Sequence, residues 1–227
     1  MSSTSMKPGT SRAQRTVWIV IGVAVLAMVL TMVIASMVQA DKQETLAVDA
    51  GGAQVVREDS RIISQAPQEK AVLVEFLDFE CEACRAAKPF VDDLKEEYGQ
   101  NLTIVARYFP LPGHMNSMNA ALAVEAAAQQ GQFVPMLDRM YETQADWGEA
   151  SESKAEVFRD FAQELGLDMV TFDAAVADPQ TRERIERDVA DGTALQVTGT
   201  PTFFLDGELV DVATLEEFRS VIADSVE

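Results

Sequence analysis

The sequence predicts an α/β domain preceded by one N-terminal transmembrane helix. Three observations lead there. An uncharged apolar run fills residues 17–39. A strand, a helix and a second strand follow one another over 71–109 around a Cys-x-x-Cys pair. A helical block over about 114–195 then precedes a closing strand, turn, short strand and helix.

Residues 1–16 are polar, rich in Ser and Thr, and carry Lys7, Arg12 and Arg15 without an acid, the composition of a short solvated tail. No charge occurs between Arg15 and Asp41, and Val17 to Val38 spans 22 residues of mostly Val, Ile, Leu, Ala and Met. A helix of that length is about 33 Å long and matches a hydrocarbon layer of about 30 Å. With bases before it and acids after it, the positive-inside rule leaves residues 1–16 in the cytoplasm and the domain outside, on a single-pass anchor in the cell membrane (17–39). A secretory signal cleaved after Ala40 competes with the anchor, since Val38-Gln39-Ala40 is an acceptable cleavage site. Against it, the apolar run exceeds the roughly 7–15 residues usual for a signal peptide. Both readings deliver the domain to a compartment where disulfides persist.

Residues 40–54 read as a linker containing Gly51-Gly52, and 55–227 as the folded domain. Gln54 to Arg57 is expected as a short edge strand. Ala71 to Leu77 (AVLVEFL) is apolar without alternation, as in a strand buried on both faces. Cys81 to Tyr98 has helical spacing, with Phe90, Val91 and Leu94 on one side and Gly99 to stop it. Leu102 to Phe109 (LTIVARYF) is the second strand, joined to the first by a right-handed crossover. Helices are expected at Ala120–Gln130, Phe133–Thr143, Ser153–Leu165, Val170–Ala177 and Gln180–Ala194, punctuated by Gly131, Gly148, Gly166 and Pro179. Phe133, Met136, Met140 and Tyr141 recur at helical spacing and are assigned to the core. Thr202–Leu205, a turn at Asp206-Gly207 and Glu208–Asp211 form a hairpin, and a last helix begins at Thr214.

The chain carries a net charge of −19, and all 37 acidic residues lie beyond residue 40. A domain so acidic repels nucleic acid and anionic headgroups, and the charge keeps it soluble.

There are two cysteines, three apart. A bridge between Cys81 and Cys84 closes so small a loop that it constrains the unfolded chain little. Stability is a poor reason for the pair, and reactivity a better one. A zinc site needs about four ligands, whereas the chain has no second cysteine pair and a single histidine, His114. An inert structural bridge is the other rival to redox chemistry. At the end of a buried strand and the start of a helix, free N–H groups and the helix dipole stabilise a thiolate on Cys81. Cys84, one turn later, is placed to resolve a mixed disulfide.

The segment EFLDFECEAC, the helix, strand and helical block after it, and TGTPTFFLDG at Thr198 to Gly207 resemble the DsbA-like branch of the thioredoxin superfamily, most closely its membrane-anchored members. The resemblance covers about residues 55–225. It implies a thioredoxin-like fold with a central mixed sheet and a helical insertion at about 114–195. It also implies dithiol–disulfide exchange through Cys81 and Cys84, with no metal and no dissociable cofactor. Glu75 stands six residues before Cys81, where such proteins bury a carboxylate, and is expected to take the proton of Cys84; a strand-end acid paired with a lysine is its other reading. Pro89 stands where the active-site helix is kinked. Phe109 to Phe133 resembles the lead-in to the inserted helices, and His114 within it is expected to be structural. Thr200-Pro201 resembles the loop whose cis proline packs against the disulfide. Thr200 and Pro201 are therefore expected to frame a peptide groove, against a plain trans proline opening a strand.

The partners implied are the thiols of exported proteins, a membrane redox protein that recharges the disulfide, and the lipid bilayer at residues 17–39, with the protein a monomer. The sequence departs from the strongest oxidants at Glu82-Ala83, where those carry Pro-His. A carboxylate beside a forming thiolate disfavours it, so a weaker oxidant is expected. A membrane-tethered reductase or isomerase, and a thioredoxin-fold binding module, are the alternatives.

Overall fold

The computed structural model describes Trp18 and residues 52–227. The expected tail, the anchor apart from Trp18, and the linker as far as Gly51 lie outside the described residues. Among the described residues no helix is long and apolar enough to cross a membrane.

Strands β1 (Arg61–Ser64), β2 (Ala71–Leu77), β3 (Leu102–Tyr108), β4 (Thr202–Leu205) and β5 (Glu208–Leu209) form one mixed sheet in the order β1-β3-β2-β4-β5. β2 and β3 run parallel, from Ala71 opposite Leu102 to Leu77 opposite Tyr108, with helix α1 (Glu82–Tyr98) between them in sequence. β1 pairs antiparallel with β3, and β4 with β2. Every residue of β2 and β3 is buried, as continuous apolar runs require of strands covered on both faces.

Alternation along β2 decides which side chain meets which layer. Ala71, Leu73 and Leu77 join the larger core with Ile104, Ala106, Tyr108 and Cys84. Val72, Val74 and Phe76 join the smaller one with Val55, Val105, Phe109 and Phe204. Glu75 has the parity of Leu73 and Leu77, which turns its carboxyl toward the layer that holds Cys84.

The insertion consists of α2 (Ser117–Gln129), α3 (Phe133–Trp147), α4 (Ala155–Glu164), α5 (Met169–Ala177) and α6 (Pro179–Ala194). Helix α2 is buried continuously over Ala120–Ala127, and its small side chains let α3, α4, α5 and α6 pack around it. Phe133, Met136, Met140 and Tyr141 of α3 are buried as expected. The helix continues to Trp147, whose indole meets Phe158 of α4 edge-on at 4.7 Å. Asp168 and Asp178 cap α5 and α6 through the Thr171 and Gln180 N–H groups, and Pro179 fits the first turn of α6.

Helix α6 borders the smaller core. A Cβ at Gly192 would meet the Phe109 ring at 2.8 Å and the Phe76 ring at 3.0 Å, so glycine alone allows this approach. Arg107 of β3 is fully buried. It donates to Asp188 at 2.9 Å, Asp191 at 2.5 Å, and the carbonyls of Gln54 and Val55 at 2.7 and 2.6 Å. Those carbonyls correct the sequence expectation. Gln54–Arg57 is not a strand, because the guanidinium has taken the acceptors a ladder would use, and Arg61–Ser64 forms the sheet edge instead.

At the far edge Asp206 and Gly207 have φ of 49° and 90°, the twist of a two-residue hairpin turn. The Asp206 carboxylate accepts from the Val72 N–H at 2.9 Å. Strand β5 stops at Leu209, shorter than expected. Helix α7 (Leu215–Val226) is capped by Thr214 and lays Phe218 on Phe90 and Phe203 at 5.2 and 5.0 Å.

Candidate active site

The end of β2, the start of α1 and the Thr200–Pro201 turn converge on the two cysteines, both present as free thiols. Cys81 is the N-cap of α1, with φ −71° and ψ 119°, where free amides and the helix dipole favour an anion. Its sulfhydryl donates to the Thr200 carbonyl at 3.2 Å. Its pKa falls from 9.0 to about 5. The chief cause is the hydrogen bond from the Cys84 thiol. Burial opposes it, and the Thr200 side chain and the Cys84 and Ala83 amides add to it. Glu82, expected to raise this pKa, is exposed and is not among those causes.

Cys84 has no exposed surface. Burial, its hydrogen bond to Cys81 and the charge of Glu75 push its thiol far above the ordinary value. The two sulfurs are thus driven apart, one toward the thiolate and one toward the thiol. Glu75 is 4% exposed. Burial lifts its carboxyl from 4.5 to about 8, against the pull of the Lys88 ammonium. Lys88 is ion-paired with Asp92 and Asp138, and among the described residues Glu75 has no salt bridge. The lysine-paired reading of Glu75 therefore gives way to a buried acid facing the redox pair.

The Thr200–Pro201 peptide is cis. The Thr200 hydroxyl is buried with no fixed hydrogen-bond partner among the described residues. That leaves it for the sulfurs, whose pKa values it lowers. The structure therefore brings Glu75, Cys81, Cys84, Thr200 and Pro201 to one place. Pro89 lies within α1, two turns past the N-cap.

Sequence reasoning missed the clamp on the Asp78–Cys81 loop. Asp78 and Glu80 are buried carboxylates. Glu80 accepts the Asn116 N–H at 2.6 Å and the Glu149 N–H at 3.1 Å. Gln144 of α3 donates to the carbonyls of Phe79 and Cys81 at 2.7 and 2.9 Å. The insertion thus grips the loop that presents the nucleophile. The signal available was two acids flanking a phenylalanine at the end of an apolar strand. His114, read as structural, meets Asp78 at 2.6 Å.

The sequence profile of the thioredoxin family matches residues 64–224. A thioredoxin-like oxidoreductase from Silicibacter pomeroyi is 25% identical, covering 74% of this chain and 92% of its own, with a TM-score of 0.62. Alpha-DsbA1 of Wolbachia pipientis is 18% identical, covering 75% of this chain and 92% of its own, with a TM-score of 0.64. Among curated proteins, the Na+/H+ antiporter NhaA of Herminiimonas arsenicoxydans is 42% identical over 135 residues. That match takes in 60% of this chain and 20% of the antiporter, so it concerns a domain-sized piece and leaves the rest of that protein without a counterpart here. By family profile over residues 64–224 and by fold, the chain belongs to the thioredoxin family.

Proposed function

We propose that the protein is an extracytoplasmic dithiol oxidase, held to the membrane by residues 17–39, that introduces disulfides into exported proteins. The observation that carries this reading is the seat of Cys81 at the N-cap of α1 with Cys84 buried one turn on, which holds the Cys81 pKa down to about 5. A thiolate so stabilised favours the reduced form of the pair, which makes the disulfide an oxidant.

In the oxidised protein a substrate thiolate attacks the Cys81 sulfur. The Cys81–Cys84 bond breaks, and Cys84 leaves as a thiolate that Glu75, protonated at neutral pH, restores to the thiol. A second substrate thiolate then attacks the substrate sulfur of the mixed disulfide and expels Cys81 as a stable thiolate. The substrate loses two electrons and the Cys81–Cys84 pair gains them; a membrane redox partner takes them back. The open backbone at Thr200-Pro201 receives an extended substrate segment. The protein acts as a monomer without metal or cofactor.

Equilibration with glutathione buffers tests the direction of electron flow. A reduction potential of roughly −120 to −180 mV is expected. A value of about −270 mV, the thioredoxin level, would overturn the oxidase reading in favour of a reductase.

A further inference from the structure

The clamp on the β2–α1 loop includes the chain's single histidine. Asp78 is buried, and its carboxylate accepts from the Glu80 N–H at 2.8 Å and the Leu111 N–H at 2.9 Å, and meets His114 Nδ1 at 2.6 Å. The Asp78 carbonyl accepts the Cys81 N–H at 3.2 Å. One residue therefore links the imidazole to the nucleophile. A short contact to a carboxylate makes Nδ1 the donor and leaves Nε2 to take up the second proton. The His114 side chain is 30% exposed and lines an open cavity of about 290 Å³ together with Glu80, Met115, Glu149 and Ser151, so the ring exchanges protons freely with solvent. The groups that face it are acids: Asp78, Glu80 and Cys81 from the β2–α1 loop, and Glu149 from the end of α3. Partial burial works against the imidazolium. The hydrogen bond to Asp78 and the charges of Asp78, Glu80 and Cys81 outweigh it and raise its pKa.

We propose that His114 is a positioning residue for thiol–disulfide exchange: docked through Nδ1 on Asp78, its imidazolium offsets the acids of the β2–α1 loop and so favours the thiolate on Cys81. Without the second ring proton the carboxylates of Asp78 and Glu80 keep only neutral N–H donors, from the backbone and Nδ1, and their charge, no longer offset by a cation, disfavours the thiolate. The proposal rests on Cys81 as the exchanging nucleophile.

Coupling between two sites is reciprocal, which supplies the test. The ring protons of the single histidine are titrated by NMR in the full-length chain in detergent, once reduced and once oxidised. The His114 proton affinity is expected to be about threefold higher in the reduced state, where the thiolate is present. In His114→Gln the Cys81 acid dissociation constant, read from thiolate absorbance at 240 nm, falls by the same factor, a rise of about 0.5 in pKa. A purely structural histidine would change stability alike in both redox states and titrate identically in them. Equal His114 titrations in the two states, or an unmoved Cys81 titration in His114→Gln, overturns the proposal. Failure of the exchange reading is separate: it shows as loss of turnover with substrate thiols while the reciprocal shift persists.

Discussion

Replacing Glu75 by Gln removes the charge from a carboxyl that burial has lifted from 4.5 to about 8. A carboxyl whose folded pKa lies above its unfolded value holds its proton more tightly in the fold. Below about pH 4.5 it is protonated in both states and costs nothing. As the pH rises the unfolded chain ionises first and stability falls, until above about pH 8 both states are ionised and the full penalty stands. At about 1.4 kcal/mol per pH unit, the penalty at pH 7 is about 3 kcal/mol. Glu75→Gln is therefore expected to gain about 3 kcal/mol on the wild type between pH 4.5 and 7, equivalent to about 6–12 °C in Tm for a domain of this size. The buried amide loses about 1–3 kcal/mol wherever it lacks partners, but that offset does not vary with pH. Urea unfolding of both reduced proteins across this range isolates the slope. A difference between variant and wild type that stays flat with pH would refute desolvation as the origin of the Glu75 shift. The same variant lacks the proton donor for the departing Cys84, so formation of the mixed disulfide with substrate should slow on the order of 100-fold.

Alkylation of the reduced protein should follow Cys81 alone, with a midpoint near pH 5. Cys84→Ala removes the principal hydrogen bond to that sulfur and should raise the midpoint by about one unit; an unmoved midpoint would show that the amides and the helix dipole suffice. Arg107→Ala strips the cation from between Asp188 and Asp191 and should cost about 3–5 kcal/mol in urea unfolding, whereas a loss below about 1 kcal/mol would mean that Arg57, paired with Asp191 at 2.5 Å, and Arg184, paired with Asp188 at 2.9 Å, neutralise both acids without it.

Elements whose signal is local were legible in the sequence. The apolar runs at 71–77 and 102–108, the Asp206-Gly207 turn and the helical block all appear near their expected bounds, because periodicity and turn chemistry act over a few residues. The edge strand was misplaced because its fate depends on Arg107, some fifty residues later in sequence, whose guanidinium draws the Gln54 and Val55 carbonyls out of any ladder. Glu75 was legible through the resemblance, six residues before Cys81, and the structure supplies the reason: in register with Leu73 and Leu77 it faces the layer that holds Cys84. The Asp78–Glu80 clamp was not legible, since its partners Asn116, Gln144 and Glu149 lie on inserted segments whose approach to the loop no local pattern announces.

The dipeptide between the cysteines shows how a correct local rule can yield the weaker effect. Glu82 lies next to Cys81, and like charge disfavours a thiolate. The side chain is exposed, however, and at about 7 Å through water one unit charge acts on another with only about 0.6 kcal/mol, less in salt. A hydrogen bond to a charged group contributes about 1.5–3 kcal/mol, and Cys81 is faced by several donors: the Cys84 thiol, the Cys84 and Ala83 amides, and the Thr200 hydroxyl that has no other partner among the described residues. Two such bonds already exceed the carboxylate severalfold. They come from the cap geometry of α1 and from a turn more than a hundred residues downstream. The donors that the fold places around the sulfur therefore act on the acidity of the nucleophile more strongly than the exposed Glu82 carboxylate does.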